Sequence, residues 1–255
     1  MTSTTVAVLL AVALAANFGV GAITRLCSKR RVLGVTKRNV LSFSPRQAGG
    51  QGPPGGSPLF GAFWTTIYAF AFGSVFVFAF VECTSDLETA GILMAIALLL
   101  AACWQPIFLV EMPWSFATSA VILFVVMVMS ITSAAIADPF RSIGNVWYLY
   151  LFGLGSSILA GWASVATAIA IGLTVRVYSR GLSARAVNGE RSLIPLLLAV
   201  VLAVIAIALV NPLLCGPLII SCCFLPGILS DWRIYITFLV ALLGYGLALM
   251  RLWVG

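Results

Sequence analysis

Pro53-Pro54-Gly55-Gly56-Ser57-Pro58-Leu59-Phe60-Gly61-Ala62-Phe63-Trp64-Thr65-Thr66-Ile67-Tyr68 opens a long apolar run that continues through Gly73. Phe60, Trp64 and Tyr68 stand four residues apart, so a helix stacks the three rings on one face. Two later pieces echo this one: Trp104-Gln105-Pro106-Ile107-Phe108, and Gly161-Trp162-Ala163-Ser164-Val165-Ala166-Thr167. Together they point away from enzyme chemistry and toward a membrane helix bundle with an aromatic-lined interior.

Composition agrees. Hydrophobic residues make up 62% of the 255-residue chain and charged residues 8%. A soluble domain carries about 25% charge. A bilayer core requires about 20 apolar residues per helix. Runs of that kind stand at about 5–24, 59–81, 89–109, 115–137, 147–175, 193–210 and 233–252. They are continuous rather than alternating, which implies helices and not a barrel. The expected fold is all-α, a polytopic transmembrane bundle of about seven spans: five in residues 1–175 and two more in 176–255.

The net charge of +7 is a matter of placement. Arg25, Lys29, Arg30, Arg31, Lys37, Arg38 and Arg46 cluster in the first long loop, and Arg176, Arg180, Arg185 and Arg191 after the fifth run. Glu82, Asp86 and Glu88 stand between the second and third runs. The positive-inside rule puts the two basic loops on one side and the N-terminus on the other. The charge therefore reads as topology with contact to anionic lipid, not as nucleic-acid binding. The first run reads as a genuine span, because no charge precedes it and its positive flank follows. A cleaved leader, with Ala13-Leu14-Ala15 as its cleavage pattern, is the alternative.

A basic, Gly/Pro-rich loop over 25–58 separates the first two runs; its 42–58 portion is unsuited to helix. Short connections after the third and fourth runs make those helices antiparallel neighbours. In the fifth run, Gly153, Ser157 and Gly161 form one small-residue row, and Ser156, Ala160, Ser164, Ala168 and Gly172 a second. Small side chains let helices approach closely in lipid, so this helix is expected at the centre of the bundle. Trp162 and Val165 point off those rows, toward a neighbouring groove or lipid. Residues 211–230 carry three Pro/Gly breaks and span, re-enter or lie at the interface.

Much chemistry is excluded. With no histidine, imidazole metal sites, imidazole haem ligation and histidine acid–base catalysis are absent. The helix centres carry no Asp, Glu, Lys or Arg, which argues against a pump or charge-coupled antiporter. Cys222-Cys223 reads as buried thiols, and no metal or covalent cofactor is expected. No enzymatic step is read from this chain.

The aromatic residues carry what remains. Rings between helices offer flat apolar walls with one polar handle on each Tyr and Trp. Such walls suit a planar, largely apolar ligand: a porphyrin or other tetrapyrrole, a sterol, a carotenoid or a bound lipid. Trp114, Trp147, Trp232 and Trp253 stand near helix ends and read as interfacial anchors. Trp64, Trp104 and Trp162 are either core packing or cavity lining. Thr65, Thr66 and Gln105 supply polar contacts to a ligand, across helices or to their own backbone.

The three motifs resemble, in order and approximate spacing, segments of the tryptophan-rich sensory proteins, also called the translocator or peripheral benzodiazepine receptor family. Pro53-Pro54, Phe60, Trp64, Tyr68 and Gly73 resemble its double-proline and F-x-x-x-W-x-x-x-Y segment. Trp104-Gln105-Pro106-Ile107-Phe108 resembles its W-S-P-L-F segment, and Gly161–Thr167 its W-x-x-x-A segment. The family's Trp-Tyr…Lys-Pro signature before the double proline is absent here. The resemblance covers about residues 5–175 and implies a translocator-like five-helix core, with 176–255 as an extension. It implies binding of porphyrins or cholesterol-like lipids in a mitochondrial or bacterial membrane. It also implies a pocket lined by Trp64, Tyr68, Trp104, Phe108 and Trp162.

Two functions follow as expectations. One is an integral membrane protein that holds a planar hydrophobic ligand for sensing or transport, free or as a homodimer. The other is an accessory subunit of a larger respiratory or photosynthetic complex in a mitochondrial or plastid membrane, with lipid or pigment contacts. The span order makes a direct prediction. Membrane-impermeant maleimide applied to oriented vesicles labels Cys27 and Cys83 from opposite faces. Labelling of both from one face contradicts the seven-span topology.

Overall fold

The computed structural model describes residues 2–30, 58–108, 110, 112–137 and 147–180. Most of the 25–58 loop, the runs at 193–210 and 233–252 and the segment 211–230 lie outside the described residues. Among the described residues there are five helices and no strand: α1 (Ser3–Arg30), α2 (Pro58–Phe80), α3 (Ser85–Phe108), α4 (Pro113–Ile136) and α5 (Trp147–Arg180). These coincide with the five apolar runs of the core, with one correction. Arg25, Lys29 and Arg30 belong to the last turns of α1 rather than to the loop, because nothing helix-breaking follows Gly21 until after Arg30. Arg176 and Arg180 likewise continue α5.

Three helical segments are long and apolar enough to cross a membrane, Ser3–Ile23, Ser85–Ile107 and Pro113–Ile136. At 1.5 Å per residue, 21 to 24 residues cover the roughly 30 Å of a hydrocarbon core. Shorter apolar stretches stand in α2, Thr65–Phe80, and α5, Leu151–Ser164. Hydroxyl residues are tolerated inside these helices because they bond back to their own backbone. Ser74 Oγ donates to the Phe70 carbonyl at 2.8 Å, Ser130 to Val126 at 2.7 Å and Ser164 to Ala160 at 2.8 Å.

The helices close into a ring in the order α1, α2, α5, α4, α3 and back to α1. Cross-helix contacts set their directions. Ser3 Oγ donates to Glu88 Oε1 at 2.9 Å, while Asn17 reaches Leu98 and Gln105 farther along, so α1 and α3 run parallel. Met94 meets Ser156 and Trp104 meets Trp162, so α3 and α5 also run parallel. Ser133, near the end of α4, donates to the carbonyl of Ala90, near the start of α3, at 2.8 Å, which makes α4 antiparallel to both. Phe18 lies against Tyr68 with ring centroids 4.7 Å apart, and Val6 and Phe78 converge on Gly91, so α2 is antiparallel to α1.

Helix ends are secured locally. Asp86 and Glu88 occupy the first turn of α3, where the helix dipole favours negative charge. Pro113 opens α4, where a missing N–H costs nothing. Ser115 Oγ bonds back to the Met112 carbonyl at 2.7 Å. At the opposite end, Ser3 Oγ also accepts from the Cys83 backbone N–H at 3.3 Å, tying α1 to the α2–α3 turn. Burial raises the Cys83 thiol above its ordinary value; the Ser3 hydrogen bond opposes this and the Glu88 charge adds to it.

Two seams hold the ring. Between α4 and α5, Ser133 Oγ and Ser156 Oγ lie 3.1 Å apart, both fully buried. On α5, Gly153, Ser157 and Gly161 are buried, as are Ser156, Ala160 and Ser164, so the described members of both small-residue rows face protein. Where α1, α2 and α3 meet, a Cβ on Gly91 would come within 2.5 Å of Val6 Cγ1 and 2.6 Å of Phe78 Cζ. Neither neighbour has room to retreat, since Val6 and Phe78 are buried. The outward surface is apolar instead, with Phe72, Phe76, Phe80, Val121 and Phe124 exposed.

Gly91→Ala therefore overpacks this junction. Overpacking costs about 1–3 kcal/mol, against up to about 1 kcal/mol gained in helix propensity. The thermal midpoint in detergent is expected to fall by several degrees. Gly19→Ala is the control, since nothing lies within 4 Å of a Cβ there, and its midpoint is expected to hold or rise. A Gly91→Ala midpoint at or above wild type contradicts the packing described.

Candidate functional site

The five residues expected to line a pocket fall on three helices. Trp64 and Tyr68 stand on α2, Trp104 and Phe108 on α3, and Trp162 on α5. The side chains of Trp64 and Phe108 lie outside the described ones. The other three are placed as follows.

Trp104 and Trp162 meet. Their ring centroids are 5.6 Å apart at an interplanar angle of 74°, an edge-to-face contact. That geometry places the positive edge of one indole on the negative face of the other and contributes about 0.5–1.5 kcal/mol beyond area burial. Trp162 is buried and Trp104 half-buried. Of the two directions left open for Trp162, groove or lipid, the structure selects the groove.

Tyr68 is half-buried. It packs on Phe18 of α1, its ring tilted by 41°. Phe18 itself is exposed, and at the same level a buried amide network joins α1 to α3. Asn17, adjacent to Phe18, is 1% exposed. Its Nδ2 donates to the Ala13 carbonyl at 2.9 Å and across to the Leu98 carbonyl at 2.7 Å. Its Oδ1 accepts from Nε2 of Gln105, adjacent to Trp104, at 3.2 Å. A polar residue within the apolar Ser3–Ile23 run was the available signal. A single uncharged amide barely interrupts the hydropathy of the run, so its partners across the helix boundary are what mark it.

Phe18, Tyr68, Asn17, Gln105, Trp104 and Trp162 thus occupy one level of the ring, drawn from α1, α2, α3 and α5. Every one of these six groups is neutral, so together they offer flat apolar surface, a phenol and amide hydrogen bonding. Among the described residues no cluster of His, Cys, Asp or Glu has the makings of a metal site. Thr65 and Thr66, also expected as polar contacts, are exposed on α2. Trp114 and Trp147 are exposed at the starts of α4 and α5, where interfacial anchors belong.

No family model matches the chain, and no curated protein or solved structure does.

The amide network sets up a stability test. Asn17→Ala removes one cross-helix bond to Leu98, unpairs Gln105 from α1 and leaves a small void. Cross-helix hydrogen bonds in membranes average about 0.6 kcal/mol, and a buried group left unsatisfied costs about 1–3 kcal/mol. A net loss of about 1–3 kcal/mol is expected in detergent unfolding. A variant as stable as wild type means that Asn17 does not join α1 to α3.

Proposed function

We propose that this chain is an integral membrane protein that binds a planar, largely apolar ligand between its helices, a tetrapyrrole, a sterol or a similar lipid, for sensing or transport. The observation that carries the reading is the edge-to-face meeting of Trp104 and Trp162 at the level of the Asn17–Gln105 amide pair, with Tyr68 half-buried at the same level. Flat apolar walls with few oriented polar groups are the usual makeup of a small-molecule site. The ring of five helices supports the translocator-like core that the sequence resemblance implies. The proposed bundle completes about seven spans with the runs at 193–210 and 233–252. Its outward phenylalanine and valine side chains suit contact with lipid.

A second reading rests on the same edge-to-face contact. The two indoles already satisfy one another, so they serve equally as filling for an accessory subunit whose neighbours define its role in a larger membrane complex.

Quenching of tryptophan fluorescence by protoporphyrin in detergent separates the two. Ligand binding predicts saturable quenching, and Trp104→Leu and Trp162→Leu each weaken affinity by about tenfold, the scale of one lost aromatic contact in an apolar site. Unchanged affinity in both variants removes these residues from the pocket. Absence of saturable quenching in the wild type favours the accessory subunit.

A further inference from the structure

We infer that Ser119 of α4 and Thr167 of α5 hold one buried water molecule between them, as a polar joint of the α4–α5 seam. Most buried hydroxyls of these helices are already committed. Ser74, Ser130 and Ser164 bond back to a carbonyl four residues earlier, and Ser133 and Ser156 meet across the seam. Ser119, Ser157 and Thr167 are buried as deeply, yet their oxygens find no partner among the described residues. A hydroxyl buried without a partner is costly, and a bound water is the usual remedy for such a group.

Register brings two of the three together. Ser133 and Ser156 fix the alignment of α4 on α5, with their oxygens 3.1 Å apart. The two helices are antiparallel, so steps back along α4 and forward along α5 lead the same way through the bundle. Ser119 stands about four turns back from Ser133, and Thr167 about three turns on from Ser156. Each therefore nearly shares the face of the serine it follows, and both face the same seam. At 1.5 Å per residue the steps are about 21 Å and about 16 Å, an offset of about 4–5 Å along the axis. A direct bond needs oxygens within about 3 Å, whereas two hydroxyls that share one water stand about 4.5–5.5 Å apart. Ser157 has no such counterpart: its level on α4 falls near Thr132, which is exposed and donates to the Val128 carbonyl.

The surroundings fix the occupant's chemistry. Along the two helices the neighbours Phe116, Ala120, Leu123, Ala163 and Ala170 are apolar and buried. The next charge on α5, Arg176, lies about two and a half turns beyond Thr167. An ion here would be desolvated without a counter-charge. A neutral molecule that accepts from one hydroxyl and donates to the other fits, and water is the smallest. The bond from Ser133 to Ala90 puts Ser119 at the level of Trp104, so the water braces α4 on α5 at the level where Trp104 meets Trp162. This joint holds whether or not the bundle binds a larger ligand.

The test has two parts, both on the full chain. In lipid bilayers, water-edited solid-state NMR is expected to carry magnetisation from water to Ser119 and Thr167. Ser164, about one turn earlier on α5 and bonded to its own helix, is expected to receive none. No transfer to Thr167, or equal transfer to Ser164, overturns the assignment. In detergent, the unfolding equilibria of Ser119→Ala, Thr167→Val and the double variant are compared with wild type. A shared water predicts that each single variant raises the unfolding constant by about tenfold, the scale of one hydrogen bond. It also predicts that the double variant is little worse than either single one, because the water leaves with the first hydroxyl. Single variants at or above wild-type stability overturn it, since removing an unpartnered hydroxyl brings relief. Two losses that add in full overturn it as well, since separate sites are additive.

Discussion

Lipid removes the force that folds most proteins. Hydrocarbon tails are as apolar as leucine, so burying apolar side chains against one another contributes little to helix association. What remains is close approach and a few cross-helix hydrogen bonds, and the ring is organised around those. Gly91 lets Val6 and Phe78 meet on α3. Ser133 reaches both Ala90 and Ser156, joining three helices through one hydroxyl. Asn17 does the same for α1 and α3 at the other end of the bundle. Each of these contacts needs a small or polar residue at one position, in a chain where large apolar residues are interchangeable over most of the surface.

The candidate site is a consequence of the same constraint. The small residues of α5 let it pack closely, and its large, buried Trp162 ring meets Trp104 across the ring of helices. Neutral amides rather than charges join α1 to α3 at the level of those rings.

Much of the fold was legible from hydropathy. The five apolar runs of the core, the antiparallel α3–α4–α5 arrangement and the packing rows of α5 all follow from run length, loop length and residue size. The site was legible only in part. Trp104 and Trp162 are far apart in sequence and share no periodic pattern, yet a motif reading placed both in one interior and they do touch. Tyr68 packs on Phe18 of α1, a contact that helix spacing could not name, since spacing says which residues share a face and not which neighbour that face meets. Asn17 was invisible to a search for charged residues, because an amide buried in lipid marks itself only by the carbonyls it finds across the helix boundary. The ends of α1 and α5 were underestimated for a simpler reason: arginine and lysine are good helix formers, and hydropathy stops where the charge begins.

The central claim is that this chain is a self-contained bundle whose interior holds a small hydrophobic molecule. Native mass spectrometry after extraction in mild detergent addresses it most directly. The account predicts a monomer or homodimer that retains a small planar molecule, released when the detergent is exchanged for a denaturing one. Recovery of the chain only within a stoichiometric assembly of other subunits, with no small molecule attached to it, would contradict the account.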